Sequence, residues 1–183
     1  MGVTLKATGS RARPERRVAR ATLAAMVQQL WFLRHGDAER GSGSDFDRKL
    51  TDRGERQATA AGAALARLGI DLAACYTSPR VRALDTARLA CRALELEPEQ
   101  DAALGGGFGG DHALDLLRRH GADERVLLVG HEPDFSQTVF QLTGGRVDLK
   151  KGGLAGVRVE PGGGTLLVLL RPRELVSLAE VGR

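Results

Sequence analysis

The sequence is poor in cysteine, in aromatic residues and in long apolar runs. Its two cysteines, Cys75 and Cys91, have no partner at metal-ligand spacing, which argues against a disulfide scaffold or a structural zinc site. We interpret both as buried thiols of a cytoplasmic protein. Aromatic residues make up 4% of the chain, which disfavours a surface that stacks nucleic-acid bases. No apolar run approaches the roughly 18 residues of a membrane span, so we expect no membrane segment.

The positive charge of the chain is concentrated in one segment. The sequence pI is about 9.6, but residues 1–25 hold six basic residues against one acidic residue. The remaining residues carry 21 basic and 22 acidic side chains. Because this remainder is nearly neutral, we expect no nucleic-acid binding by the folded body.

Residues 1–25 also differ from the rest in pattern, since they are rich in Arg, Gly and Ser and lack hydrophobic periodicity before about Ala19. No apolar segment of the kind that a signal peptide requires follows the Arg16-Arg17 pair. We expect 1–25 to be a disordered extension, or alternatively a basic arm that binds polyanions. Residues 26–183 are expected to form a single domain with one substantial core.

The body alternates apolar runs with helical patterns. Strands are predicted at residues 29–33, 70–76 and 125–129, and a hairpin at 157–159 and 165–170 around a Pro-Gly-Gly-Gly turn. Helical spacing follows Thr51, Pro79, Asp111 and Pro133, with Asp111 as an N-cap, Pro133 in a first turn and Gly144 at a helix end. The pattern predicts an α/β three-layer sandwich: a mostly parallel sheet, helices on both faces and an antiparallel C-terminal edge.

A glycine-rich run at residues 105–110 (GGGFGG) contains the spacing G-x-G-x-x-G. It follows no predicted strand and is not part of a βαβ unit, which a dinucleotide site requires. We therefore interpret it as a loop before the next helix.

Basic and imidazole side chains follow three of the predicted strands. Arg34 and His35 follow the first strand, Arg80 and Arg82 both follow the second, and His131 follows the third. Ligands of parallel α/β sheets bind outside the carboxyl ends of strands, so we expect these groups to meet there. Guanidinium groups match phosphate oxygens, and a neutral imidazole can attack phosphorus. The chain has no dense set of Asp and Glu for magnesium, and we expect neither a metal nor a cofactor.

Four segments, in order, resemble motifs of the histidine phosphatase superfamily, the phosphoglycerate mutase-like group. They are residues 33–39 (LRHGDAE), 50–58 (LTDRGERQA), 77–87 (TSPRVRALDTA) and 129–133 (VGHEP). The resemblance spans residues 30 to 172 and implies that fold. It also implies His35 as the phosphorylated nucleophile, with Arg34, Arg82 and His131 binding the phosphoryl group. Arg80 is either an auxiliary anion contact or a solvated residue at a helix start.

Two departures from the mutase-type pattern bear on the substrate. Gly105 stands where those members carry a proton-donating glutamate, and Gly41 stands where they carry an asparagine. An alkoxide leaving group needs a general acid, whereas the imidazole of phosphohistidine is protonated near pH 6.5. The chain therefore resembles the SixA subgroup, which implies removal of phosphate from phosphohistidine in a partner protein.

Several alternatives remain open from the sequence. Asp37 is a possible replacement acid or a solvated loop carboxylate, and Lys150 and Lys151 lie either in a solvated turn or at the substrate rim. The protein could instead be a broad phosphomonoesterase acting on small phosphate esters, with the same His35 cycle. A phosphate-binding regulatory module without turnover is the interpretation from another class.

Overall fold

The computed structural model describes residues 28–40 and 44–181, so the expected extension at residues 1–25 lies outside the described residues. Six strands form one sheet: β1 Gln28–Arg34, β2 Ala74–Thr77, β3 Pro98–Gln100, β4 Arg125–Gly130, β5 Leu154–Glu160 and β6 Gly163–Leu170. Five α-helices accompany them in the described residues: α1 Asp52–Arg67, α2 Val81–Cys91, α3 Gly110–Arg118, α4 Asp134–Thr143 and α5 Pro172–Glu180.

The strand order is β3-β2-β4-β1-β5-β6. The first four strands in this order pair in parallel, whereas β5 pairs antiparallel with both β1 and β6. This arrangement confirms the predicted mostly parallel sheet with an antiparallel C-terminal edge. It also makes β1 and β4 central neighbours, with their carboxyl ends at the same edge of the sheet.

The two faces of the sheet bury different residues because successive strand side chains point in opposite directions. Leu30 and Phe32 of β1 pack on one face, in a cluster that includes residues of α3 and α4. Trp31 and Leu33 pack on the other face, with residues of α1, α2 and α5. The predicted three layers are therefore present, and both faces of β1 are buried, as expected of a central strand.

Several predicted boundaries were wrong. The second strand begins at Ala74 rather than Ile70, because the Ile70 N–H bonds to the Leu65 carbonyl and closes the end of α1. Asp111 is not an N-cap. Helix α3 begins at Gly110, whose N–H donates to Oε1 of Gln141 on α4, 2.7 Å away.

Two elements, β3 and α5, have no counterpart in the sequence prediction, and the start of α4 was misplaced. Strand β3 has three residues and begins with proline, and Leu175 is the one fully buried side chain of α5. Strand β3 is therefore too short to show an alternating apolar pattern, whereas α5 packs Leu175 and Leu178 against the core and was not assigned. Pro133 is the N-cap of α4 rather than a residue of its first turn, whereas Gly144 ends that helix as predicted, with a φ of 71°.

Candidate active site

The two central strands bring His35 and His131 together. In the parallel register Arg34 pairs with Gly130, so each histidine is the next residue after its strand. The His35 N–H donates to the Gly130 carbonyl at 3.0 Å. The imidazole rings are 5.1 Å apart between centroids, and both residues are more than nine-tenths buried.

Glycine is required immediately after His35. A Cβ on Gly36 would lie 2.5 Å from the carbonyl oxygen of Gly54 in α1, which is inside van der Waals contact. The Gly36 N–H donates to the hydroxyl of Thr86 in α2 at 3.0 Å. Two helices therefore hold the backbone that follows His35, which limits the positions that its ring can adopt.

The hydrogen bonds of His35 define its tautomer. Nδ1 lies 2.7 Å from the Gly36 carbonyl, which can only accept, so Nδ1 carries the proton. Nε2 then accepts from Nε of Arg82 at 3.2 Å. The ring therefore presents an unprotonated Nε2 to a guanidinium group, and its lone pair becomes available to an electrophilic phosphorus when that hydrogen bond opens.

Arg82 enters the site from the first turn of α2 and is 5% exposed. Its other nitrogens contact Asp45, a residue of a 3₁₀ turn at Asp45–Asp47: Nη2 pairs with the carboxylate at 3.1 Å and Nη1 donates to the Asp45 carbonyl. Arg80 pairs with the same carboxylate. Asp45 thus holds an anionic oxygen against two guanidinium groups, where the oxygens of a bound anion would compete with it.

The sequence analysis predicted no role for Asp45. It lies in residues 44–49, a mostly polar segment that contains none of the motifs assigned to the site. Arg48, Arg82 and Arg80 surround its carboxylate and lower its pKa to about 2. Arg48 makes the largest contribution, through a direct hydrogen bond at 2.8 Å. The carboxylate is therefore ionised at neutral pH, and only the folded chain shows that it faces Arg82.

His131 is positioned by Ser78 at the end of β2. Its Nε2 lies 2.8 Å from the Ser78 hydroxyl, which already accepts from the backbone N–H of Arg80 at 3.2 Å. The hydroxyl proton is then free to be donated to His131 Nε2. Nδ1 of this ring is buried without a hydrogen-bond partner in the described residues. In this arrangement Nδ1 carries the proton and is an unused donor.

Arg34 is oriented differently from the other three site residues. Its Nη1 donates to the Leu149 carbonyl at 2.8 Å, and its Nε is buried with no partner in the described part of the chain. No described hydrogen bond joins Arg34 to His35 or to Arg82. Its positive charge nevertheless contributes to the low pKa of His35. Arg34 therefore acts on the His35 imidazole through its electric field, while also lining a neighbouring cavity.

The contacts of Asp37 make it poorly suited to act as a general acid. Its carboxylate accepts from Nζ of Lys151 at 3.0 Å and from the Thr51 hydroxyl at 3.1 Å. These contacts, with that of Lys151 the largest, lower its pKa. A carboxylate stabilised as an anion in this way is a poor proton donor. Lys151 consequently has a partner beside the site and is not a freely solvated turn residue.

Gly105 stands where mutase-type members carry a proton-donating glutamate, and it faces the site. A Cβ built there would lie 3.5 Å from Pro79 Cδ and 3.8 Å from the hydroxyl of Ser78, at ordinary contact distance. Ser78 in turn contacts His131. The place is therefore open and adjacent, but it carries no side chain. In the described residues no group of three or more His, Cys, Asp and Glu could hold a metal ion.

Both histidines are neutral near pH 7. Burial lowers the pKa of His35 to about 4, and the charges of Arg82, Arg34 and Lys151 add to the effect. Burial likewise lowers the pKa of His131 to about 3, with smaller contributions from His35, Arg82 and Arg80. A neutral His35 keeps its lone pair available across the physiological range.

These lowered pKa values predict that acid destabilises the fold. Between pH 6.5 and about pH 4 the unfolded chain binds protons at both histidines and the folded chain does not. The free energy of unfolding should therefore fall with decreasing pH by up to about 1.4 kcal/mol per unit for each histidine. Urea denaturation at pH 7 and pH 5 measures the loss. The double variant His35→Gln and His131→Gln should show a shallower dependence; an unchanged slope would contradict the assignment.

Known proteins share both the sequence pattern and the fold. The model of the histidine phosphatase superfamily (branch 1) matches residues 30–111. An uncharacterized protein from Picosynechococcus sp. is 37% identical over an alignment of 142 positions, and the match covers 71% of this chain and 84% of that protein.

Solved structures extend the likeness to the arrangement of the elements. The protein histidine phosphatase SixA complexed with tungstate matches with a TM-score of 0.72 and 26% identity, over 80% of this chain and 99% of that one. A phosphoserine phosphatase of Entamoeba histolytica in complex with 3-phosphoglyceric acid matches with a TM-score of 0.63 and 16% identity, over 81% and 99%. At this lower identity the likeness concerns the fold alone.

No helix in the described part of the chain has the length and apolar character of a membrane span.

Proposed function

This chain belongs to the histidine phosphatase superfamily, and we propose that it removes phosphate from phosphohistidine in a partner protein without a metal or cofactor. The observation that carries the proposal is the pairing of a neutral His35, whose Nε2 faces Arg82, with a bare Gly105 at the acid position. The first feature supplies a nucleophile. The second restricts the leaving group to one that needs little help from an acid.

The reaction proceeds in two transfers. Nε2 of His35 attacks phosphorus, and the bond from phosphorus to the substrate imidazole breaks. The leaving imidazole, already protonated on its other ring nitrogen, keeps the electron pair and departs as a neutral base. Water then attacks the phosphorus on His35 and gives up one proton to solvent; inorganic phosphate is released and Nε2 of His35 recovers its lone pair. Arg82 and the Nδ1–H of His131, which has no hydrogen-bond partner in the described residues, would supply donors to the equatorial oxygens in both steps, where charge neutralisation matters most.

Substrate binding must displace the Asp45 carboxylate from Arg82. The two anions compete for the same guanidinium group, and Asp45 is half exposed, so the carboxylate can turn to solvent. Arg80, which shares Asp45, then gains a free donor at the entrance to the site. This supports Arg80 as an auxiliary anion contact.

The two cysteines support a cytoplasmic location. Cys75 and Cys91 are both buried, as predicted, and their thiols contact each other without a disulfide bond. Thiols persist in that compartment because glutathione and thioredoxin keep them reduced. We propose the cytoplasm as the location, where a phosphorylated signalling or transfer protein would be the partner.

A substrate comparison tests the proposed function. We expect a phosphohistidine peptide to be hydrolysed with a kcat/KM at least about 100-fold above those of phosphoserine, sugar phosphates and phosphoglycerate, because alkoxide departure is unassisted. Release of inorganic phosphate measures all four. Equal or faster turnover of the esters would make the protein a broad phosphomonoesterase. Absence of turnover with every substrate would indicate a binding module.

A further inference from the structure

A cavity of about 470 Å³ adjoins the candidate site. Its walls come from the end of β1, from α1, from the turn before β5 and from the start of α5. The lining holds one acidic side chain, Asp37, and six cationic ones, so we name it the basic cavity. The cationic side chains are Arg34, Arg53, Lys150, Lys151, Arg171 and Arg173.

The basic cavity is tied to the nucleophile through the backbone. The N–H of Gly152 lies within hydrogen-bond distance of the carbonyls of both Arg34 and His35, at 3.1 and 2.9 Å. Lys151, the preceding residue, is therefore fixed beside the segment that carries the nucleophile. A group bound in the cavity would consequently lie close to the backbone that carries His35.

Much of the positive charge in the basic cavity is uncompensated. Lys150 pairs with Asp148, Lys151 with Asp37 and Arg173 with Glu174. By contrast, the described residues offer no ion-pair partner within 4.0 Å to the guanidinium groups of Arg53 and Arg171.

Two further features of the basic cavity favour anions. Nε of Arg34 is buried without a hydrogen bond in the described region. Helix α5 begins at the cavity wall with Pro172, so its N-terminal dipole adds to the positive potential. Unused donors and uncompensated charge together indicate a site for anionic groups.

We propose that the basic cavity binds carboxylates of an acidic segment flanking the phosphohistidine of the partner protein. This deepens the proposed function by naming a feature of its substrate. The cavity is larger than one phosphate and open to solvent, and its cations come from separate elements. That distribution suits several carboxylates along a chain better than a single compact anion. Since such contacts are exposed, they contribute to affinity and association rather than to the chemical step.

Fluorescence anisotropy with two matched peptides tests this inference without depending on turnover. Each peptide carries one histidine, flanked by glutamates in one and by glutamines in the other. The double variant Arg53→Gln and Arg171→Gln removes two charges outside the catalytic machinery. We expect it to weaken binding of the acidic peptide roughly tenfold, and to leave the neutral peptide within about twofold. Raising the salt concentration should reduce the preference of the unmodified protein.

The matched control removes two exposed arginines elsewhere, Arg88→Gln and Arg118→Gln, with the same change in net charge. An equal loss in this control, or equal binding of both peptides by the unmodified protein, would overturn the inference. Stronger competition by pyrophosphate than by the acidic peptide would also overturn it, in favour of a second phosphate.

Turnover of the phosphorylated forms of the same peptides separates the two proposals. Failure to hydrolyse either peptide, with the binding preference intact, would refute the phosphatase function and leave the acidic-segment site standing. Hydrolysis of both peptides with equal KM, together with equal binding, would refute the site and leave the phosphatase function standing. A rise in KM confined to the acidic peptide in the Arg53 and Arg171 double variant supports both.

Discussion

The variant His35→Gln is expected to lose phosphohistidine hydrolysis by a factor on the order of 10⁴ or more, as removal of an enzymic nucleophile typically does. Glutamine is neutral, like the imidazole at this site, and similar enough in length to limit the cavity left in the core. It has no nitrogen lone pair able to form the covalent intermediate. The loss should therefore appear in the chemical step, measured as kcat and as the single-turnover rate.

Trapping of the intermediate makes this expectation specific to the nucleophile. The unmodified protein, mixed with phosphohistidine peptide and quenched in alkali, should carry acid-labile phosphate on His35 by mass mapping. His112→Gln is the matched control, since His112 pairs with Asp101 outside the site and is 39% exposed. Its activity and labelling should match those of the unmodified protein. Phosphate on His131 instead, or activity retained in His35→Gln, would refute the assignment.

The variant Gly105→Glu is expected to gain hydrolysis of phosphate monoesters by about 10²–10⁴-fold, the usual contribution of a positioned general acid. The space is available, because a Cβ at this position meets Pro79 and the Ser78 hydroxyl at 3.5 to 3.8 Å. No positive φ at Gly105 opposes a side chain. Ser78 is in contact with His131, so a carboxyl group there would reach the leaving-group side of the site.

A matched variant separates proton donation from mere filling of space. Gly105→Gln has the same length and hydrogen-bonding capacity but no titratable proton, so ester hydrolysis should stay at the level of the unmodified protein. Phosphohistidine hydrolysis should change far less than ester hydrolysis in Gly105→Glu, because its leaving imidazole already accepts a proton near neutral pH. Equal gains with Glu and Gln would show that the bare glycine does not determine the leaving group.

The sequence predicted those site residues that lie within a recognisable motif or next to a predicted strand, and it missed contacts between residues far apart in the chain. Strand periodicity and polarity predicted that His35, His131 and an arginine after the second strand meet at one edge of the sheet, and the family resemblance singled out Arg82. His35 contacts Arg82 and lies beside His131, whereas Arg34 makes no described hydrogen bond to either His35 or Arg82. Asp45 was missed because its contact with Arg82 spans 37 residues and leaves no local pattern. Lys151 was left open for the same reason: it contacts Asp37, 114 residues away.

The amino-acid sequence alone determined the α/β alternation, the order of the motifs and the bare glycine at residue 105, since each depends on local periodicity, turn chemistry or residue identity. Only the tertiary structure shows which nitrogen of His35 carries the proton and that Asp45 forms an ion pair with Arg82. It alone also shows that six cationic side chains cluster beside His35. These features arise from distances between groups far apart in the chain. Hydrogen bonding and burial act through such distances, and no local pattern encodes them.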